Sequence, residues 1–226
     1  MKKILWIALA LFALCSCAAP NAPGAPGADS VSGATMERYR DGELRQHEGT
    51  LLDPAIGPRD NSIKGIQQVD MTDYRLTIDG LVDAPQSLRY EDVKALPEQT
   101  KLITLHCVEG WDATILWKGV LMEDLVKSAG VQSRANTVIF HAVDGYTTSL
   151  PLEDILQNKR MLAYEANGLP LPAEMGYPFI FVAEDKWGYK WARWVNRIEL
   201  SSDAAFEGYW EQNGYDNRAD VPQDKR

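Results

Sequence analysis

The chain lacks several things that would have assigned it quickly. No apolar run approaches the about 20 residues a membrane-spanning helix needs; the longest at the start, Ile4 to Leu14, has eleven. No surplus of basic residues exists, since the formal net charge is -9, and that excludes a general nucleic-acid binder with a basic face. No internal repeat is visible, and no rhythm of strands alternating with long helices, which excludes a doubly wound parallel fold. Cysteine is scarce, with three in 226 residues. What remains is ordinary globular composition, 45% hydrophobic and 24% charged, with seven Trp and nine Tyr to fill a core or line a pocket.

The first residues read as an export signal. Lys2 and Lys3 precede the apolar run, and small residues follow it. Leu14-Cys15-Ser16-Cys17 resembles a bacterial lipoprotein box, so residues 1–16 are expected to be removed and Cys17 to carry lipid. Residues 17–35 contain a Pro/Gly/Ala tether, Ala18 to Gly27, which cannot pack a core and would hold a domain off a membrane. The expected localisation is the extracytoplasmic side of a bacterial membrane, the periplasm if the cell is Gram-negative. Loss of Lys2 and Lys3 leaves 21 basic against 32 acidic residues, or -11. It also leaves Cys107 as the one unmodified cysteine. In an oxidising compartment a lone thiol is a liability unless buried or used.

Residues 36–226 form one domain. Ser30 to Thr50 reads as an irregular or partly helical lead-in. Alternation marks strands at Tyr74–Gly80, Thr137–Val143 and Met161–Ala166, with an Asp144-Gly145 turn leading to a hairpin partner at Tyr146–Leu150. Phe179–Ala183 and Trp194–Leu200 read as further strands. Leu88–Leu96 looks like a short helix stopped by Pro97. Leu121, Met122, Leu125, Val126 and Ala129 have helical spacing, with Gly130 as the stop, and Leu152–Leu156 is a helical turn. The fold class is α+β, with mixed, largely antiparallel sheets and short helices.

The chemistry-bearing stretch is Ile103 to Val120. Ile103 and Leu105 alternate with Thr104 and His106, and the alternation stops at Cys107, just before the loop Glu109-Gly110-Trp111-Asp112. A thiol delivered to a strand end beside a glycine loop is placed for chemistry; a structural cysteine more often sits mid-strand or mid-helix. Read from the cysteine alone, a small core hydrophobe is as good an account. His106 would point to the other strand face, as a hydrogen-bonded spacer. Glu109 and Asp112 read as residues that solvate the loop. Tyr146 and Tyr177 are candidates to face a substrate.

These blocks together resemble the molybdopterin-binding domain of the sulfite oxidase family, in its short bacterial branch. The likeness is carried by Cys107-Val108-Glu109-Gly110-Trp111, Trp117-Lys118-Gly119-Val120, Asp144 to Leu152, Leu162 to Pro172, Gly188-Tyr189-Lys190 with Arg193-Trp194-Val195, and Gly208-Tyr209-Trp210-Glu211. It runs from about Asn61 to Tyr215. The resemblance implies an oxidoreductase that carries molybdenum on molybdopterin, with tungsten as the variant metal, and moves two electrons and an oxygen atom to or from a small-molecule substrate. It implies Cys107 as catalytic metal ligand. It implies cofactor contacts from Asn61, Lys64, Gly65 and Ala142, and from Lys190, Trp191, Ala192 and Arg193, the last segment gripping the pterin phosphate. Physical chemistry agrees: a thiolate is a soft ligand for a redox metal, and an arginine fork suits phosphate. An external electron-transfer protein or membrane subunit is the implied partner. Met175 and Ile180 stand where the family often carries polar cofactor contacts, which moves the expected load to Lys190 and Arg193. The length leaves no room for the extra dimerisation domain of sulfite oxidases, so sulfite is not inferred as substrate. Two other classes stay open: a tethered binding lipoprotein that has lost the cofactor, and an envelope enzyme with Cys107 as nucleophile.

Overall fold

A computed structural model of the chain describes Glu37, residues 39–57 and residues 60–225. The expected signal peptide, Cys17 and the tether lie outside the described residues. Two sheets face each other and share a core. The first takes β5 (Glu98–His106), β6 (Asp112–Leu121), β9 (Met161–Ala166) and β10 (Leu169–Pro170) in the order β10-β9-β6-β5, with β11 (Ile180–Val182) also paired to β9. The second runs β4-β3-β12-β7-β8, from β3 (Leu76–Gly80), β4 (Gln86–Leu88), β7 (Thr137–Ala142), β8 (Thr147–Pro151) and β12 (Val195–Ser201). Every pairing in both is antiparallel except β3 with β12. The expected α+β class with mixed, largely antiparallel sheets is what the chain adopts. Phe140 of β7 stacks on Phe181 of β11 at 3.8 Å between ring centroids, which joins the two sheets through the core.

The helices are short and each covers a sheet. The first, α1, is Tyr90–Lys94. Helix α2 (Met122–Ala129) buries Met122, Leu125, Val126 and Ala129, the i, i+3, i+4, i+7 face read from the sequence. Each of the larger three contributes roughly 1.5–3 kcal/mol by leaving water. Gly130 ends α2 at φ 70°, where a side chain would be strained. Helix α3 is Leu152–Gln157 and buries Ile155.

Three elements differ from the sequence reading. Strand β5 begins at Glu98, five residues before Ile103, because it pairs in continuous register from Glu98↔Val120 to His106↔Asp112. Its first half is largely exposed on both faces, so no alternation marks it. Leu88 belongs to β4, not to the helix. The lead-in is helical at Glu37, Tyr39 and Arg40, in line with the expected partial helix, and adds a hairpin of two-residue strands, β1 (Gln46–His47) with β2 (Thr50–Leu51), that the sequence did not signal.

Two local features place the site. Gly119 lies so close to β9 that a Cβ would stand 2.1 Å from the Leu162 carbonyl oxygen, so β6 and β9 can pair there only around a glycine. The segment from Glu43 to Ala55 is tied down by Asn167, whose side chain is fully buried. Asn167 donates to Glu43 (3.0 Å) and to the Asp53 carbonyl (2.9 Å), and accepts from the Leu116 amide (3.0 Å). That strap delivers Ala55 to Gly57 to the end of the β5-β6 hairpin, where Asn61 to Ile63 also lie.

Candidate active site

The β5-β6 loop sets the position of the thiol. The Cys107 amide donates to the Trp111 carbonyl (2.9 Å), and Gly110, at φ 89°, donates to the Cys107 carbonyl (3.0 Å). His106 Nδ1 meets Asp112 at 2.8 Å across the hairpin, so this histidine is a hydrogen-bonded structural residue. Cys107 is free, is 7% exposed, and lines a cavity of about 410 Å³. Burial pushes the thiol's pKa up, and the neighbouring Glu109 and Asp112 carboxylates add to it.

Four of the expected site residues meet in this cavity: Cys107, Asn61, Trp191 and Arg193. Asn61 Nδ2 donates to Glu109 (2.9 Å) and lies 4.0 Å from Cys107 Sγ. Trp191 donates its indole N–H to the Lys186 carbonyl (3.1 Å) and packs on Trp117, which is itself in the core. Arg193 donates to Asp60 (2.7 Å) and to the Glu174 carbonyl (2.8 Å), and its guanidinium lies over the Trp194 ring. Gly176 makes that position possible, since a Cβ there would stand 2.7 Å from Arg193 Cβ.

The other expected residues sit elsewhere. Lys64 is exposed beside the Asp144-Gly145 turn, its Nζ 3.2 Å from where a Cβ on Gly145 would stand. Gly65 takes φ 76° and accepts from Gln67 through its carbonyl (2.7 Å). Ala142 and Ala192 are buried; the Ala192 carbonyl accepts the Phe181 amide (2.8 Å), and the Ala142 carbonyl accepts the Gly145 amide (2.9 Å). Lys190 is not brought to the cavity. Its side chain is 0% exposed and donates to Glu211, to Asn217 (2.8 Å) and to the Ser149 carbonyl (3.0 Å). Burial pulls its pKa down, while Glu211 pulls the other way. The Lys190 ammonium is thus engaged inside the protein, whereas Arg193 of the same segment lines the cavity.

Sequence reasoning missed several wall residues. Glu109 does more than solvate its loop: it accepts from Asn61 and from the Trp111 indole (3.2 Å) and stands 3.9 Å from Cys107 Sγ. Met175 and Ile180 line the cavity, so the two apolar replacements noted in the sequence face it directly. Tyr146 lines it as well, with Tyr189, Trp210 and Tyr215. Tyr177 instead faces a separate cleft with Tyr74, Arg75 and Arg89. The sequence singles out Tyr146 and Trp191; it does not assign Tyr189, Trp210 and Tyr215 to a pocket.

The donor set tests what the cavity can hold. Among the described residues no three His, Cys, Asp or Glu side chains cluster closely enough to bind a metal ion. A metal bound beside Cys107 would have one soft thiolate available from the described residues and would need to bring its other ligands with it. A dithiolene-bearing pterin does that, so the residues fit the cofactor. The model of the oxidoreductase molybdopterin binding domain matches residues 63–210. The chain belongs to that family. It is 42% identical over 158 residues to the oxidoreductase YuiH of Bacillus subtilis (strain 168), covering 70% of this chain and 79% of YuiH. It is 30% identical over 150 residues to YedZ1 of Azospira oryzae, whose name proposes a protein-methionine-sulfoxide reductase subunit, covering 66% of this chain and 57% of that one. The fold matches the sulfane dehydrogenase SoxCD of Paracoccus pantotrophus with a TM-score of 0.59 and 27% identity, over 62% of this chain and 41% of that one. As a member of this family the protein is a molybdopterin oxidoreductase, and its cofactor is molybdenum held by molybdopterin.

Proposed function

We propose that the protein is an extracytoplasmic oxidoreductase that exchanges an oxygen atom and two electrons with a small-molecule substrate, with Cys107 as the protein's ligand to molybdenum. One observation carries the reading: the free cysteine lines the cavity that Asn61, Trp191 and Arg193 also line. Molybdenum bound there supplies the two-electron chemistry. The protein's own work is binding and electrostatics. Burial holds the Cys107 thiol's pKa up, and coordination to the metal would take it as the thiolate. Asn61 is held beside it by Glu109. Arg193 presents a fixed guanidinium to the cofactor's phosphate, with Lys64 as a second cation outside the cavity wall.

Residues 1–17 support export and lipid attachment at Cys17. An external electron-transfer protein or membrane subunit completes the cycle; the Azospira relative, whose name makes it one subunit of a reductase, supports this. Metal and pterin analysis of the protein from its own host tests the core of the proposal. Near-stoichiometric molybdenum and pterin, lost in Cys107→Ser, is expected; wild-type protein with neither would overturn it. Fatty-acid labelling abolished by Cys17→Ser tests the anchor.

A further inference from the structure

Four of the aromatic residues lining the cavity belong to one closed circuit. Tyr146 packs on Tyr209 at 6.1 Å between centroids, and Tyr209 meets Trp210 edge to face at 5.2 Å. Trp210 packs on Tyr215 at 5.1 Å, and Tyr215 meets Tyr189 at 5.1 Å. The Tyr146 hydroxyl closes the ring by donating to the Tyr189 carbonyl. All these separations lie in the range where ring pairs attract. Tyr146, Tyr189, Trp210 and Tyr215 face the cavity, and Tyr215 remains 39% exposed at its rim.

The collar is held in place from below. Gly208 lies against β8 so closely that a Cβ would stand 2.2 Å from the Thr147 carbonyl oxygen, and the Tyr209 amide donates to that oxygen (2.9 Å). Glu211, next to Trp210, accepts from Thr148 (2.9 Å) and Lys190. Asn217 accepts from Lys190 and donates to the Phe206 carbonyl (3.0 Å). Lys190 is therefore a positioning residue for the segment that carries Trp210 and Tyr215.

Charge completes the picture. The carboxylate-bearing residues lining the cavity are Glu109, Asp144 and Glu174. Among the described residues the lining cation is Arg193, and it is already held by Asp60. A phosphate-bearing cofactor adds further negative charge. Aromatic faces attract cations and also stack with uncharged flat groups. A small anion entering this space meets more carboxylates than cations among the described lining residues.

We infer that the collar of Tyr146, Tyr189, Trp210 and Tyr215 is a recognition subsite for a flat or apolar ligand arm that carries no negative charge, with cationic arms bound best. The inference rests on the cavity being the substrate chamber of the proposed oxidoreductase, and it deepens that reading by naming the substrate class.

Three probes that share one ring and differ in charge test it: benzyltrimethylammonium, benzyl alcohol and benzenesulfonate, titrated calorimetrically into the metal-loaded protein. The ammonium is expected to bind tightest and the sulfonate at least about tenfold more weakly than the alcohol. Trp210→Ala and, separately, Tyr215→Ala are expected to weaken the ammonium about threefold to thirtyfold, the span of a cation–ring contact. Both variants should keep the wild-type melting temperature within a few degrees; Tyr215, at the rim, keeps the test open if Trp210→Ala does not fold. Sulfonate binding as tight as the others, or two folded variants with unchanged affinities, would overturn the collar. So would probes that bind metal-free protein and are excluded once the cofactor is in. Molybdenum and pterin are measured on the same samples: their absence sinks the redox reading, while the charge order of the probes still decides the collar.

Discussion

The cavity floor and the ionic knot behind it draw on the same short stretch, Trp187 to Arg193, and treat their charges differently. In the knot, Lys190 is sealed from water and its ammonium is fully occupied by Glu211, Asn217 and the Ser149 carbonyl. On the floor, Arg193 keeps part of its surface and leaves its fork facing a cavity while Asp60 and the Glu174 carbonyl hold it. One cation is structural and the other is available. A buried ion pair contributes little net stability when formed, because removing two charges from water costs nearly what their attraction returns, but it is costly to break. A partly exposed pair at a cavity wall costs less to break and is worth more as a ligand site. The proposed cofactor site therefore draws on the Arg193 side of the segment.

That contrast can be broken by experiment. Lys190→Met should give the largest effect, about 3–5 kcal/mol of lost stability, since Glu211 is left buried without its counter-charge. Urea denaturation measures it, and the double change Lys190→Met with Glu211→Leu should recover much of the loss. If the single change costs under about 1 kcal/mol, the knot is not structural. Arg193→Gln should cost less, about 1–3 kcal/mol, because Asp60 keeps its hydrogen bonds from Ser62. It should instead reduce the pterin retained on purification. Equal pterin in wild type and Arg193→Gln would move the phosphate grip elsewhere.

Cys107→Ser sharpens the floor from the other side. The change is small and next to a loop, so stability should shift by less than about 1 kcal/mol, while molybdenum retention and oxygen-atom transfer are abolished. A metal-replete serine variant would break the assignment of Cys107. The smallest effect belongs to a surface pair that does neither job. Lys186 lies 2.6 Å from Asp220 and holds its carboxyl below the usual carboxylate value. A depressed carboxyl contributes stability above its unfolded value near 3.9 and loses it as pH falls through the folded value. Asp220→Asn should thus narrow its gap to wild type on acidification below about pH 4, with a gap at neutral pH of no more than about 1 kcal/mol. A gap that widens in acid would reverse the sign.

Much of the architecture could be read from local pattern. The break in alternation at Cys107 is the end of β5, and Asp144-Gly145 is the turn between β7 and β8. Gly130 closes α2 as its position implied. The exposed half of β5 could not be read, because an edge strand with both faces in water has no period. The parallel pairing of β3 with β12 could not be read either, since its partners are more than a hundred residues apart and share no local signal. Of the site, Cys107, Asn61, Trp191 and Arg193 were legible through the order of the family's motifs; Trp210 and Tyr215 belonged to the last motif but were not assigned to the cavity, because an aperiodic tail gives no register that tells which wall it will form.

The sequence by itself determined that one thiol would stand at a strand end beside a glycine loop, and that its surroundings follow the molybdopterin family in order. Those are statements about residue type and near-neighbour spacing, which the chain carries locally. Tertiary structure alone decided which cation of Lys190 to Arg193 faces the cavity and which is buried, and which rings close around its mouth. Their surroundings come from Ser149, Glu211, Asn217 and Asp60, remote in sequence and assembled only when the two sheets and the tail pack together.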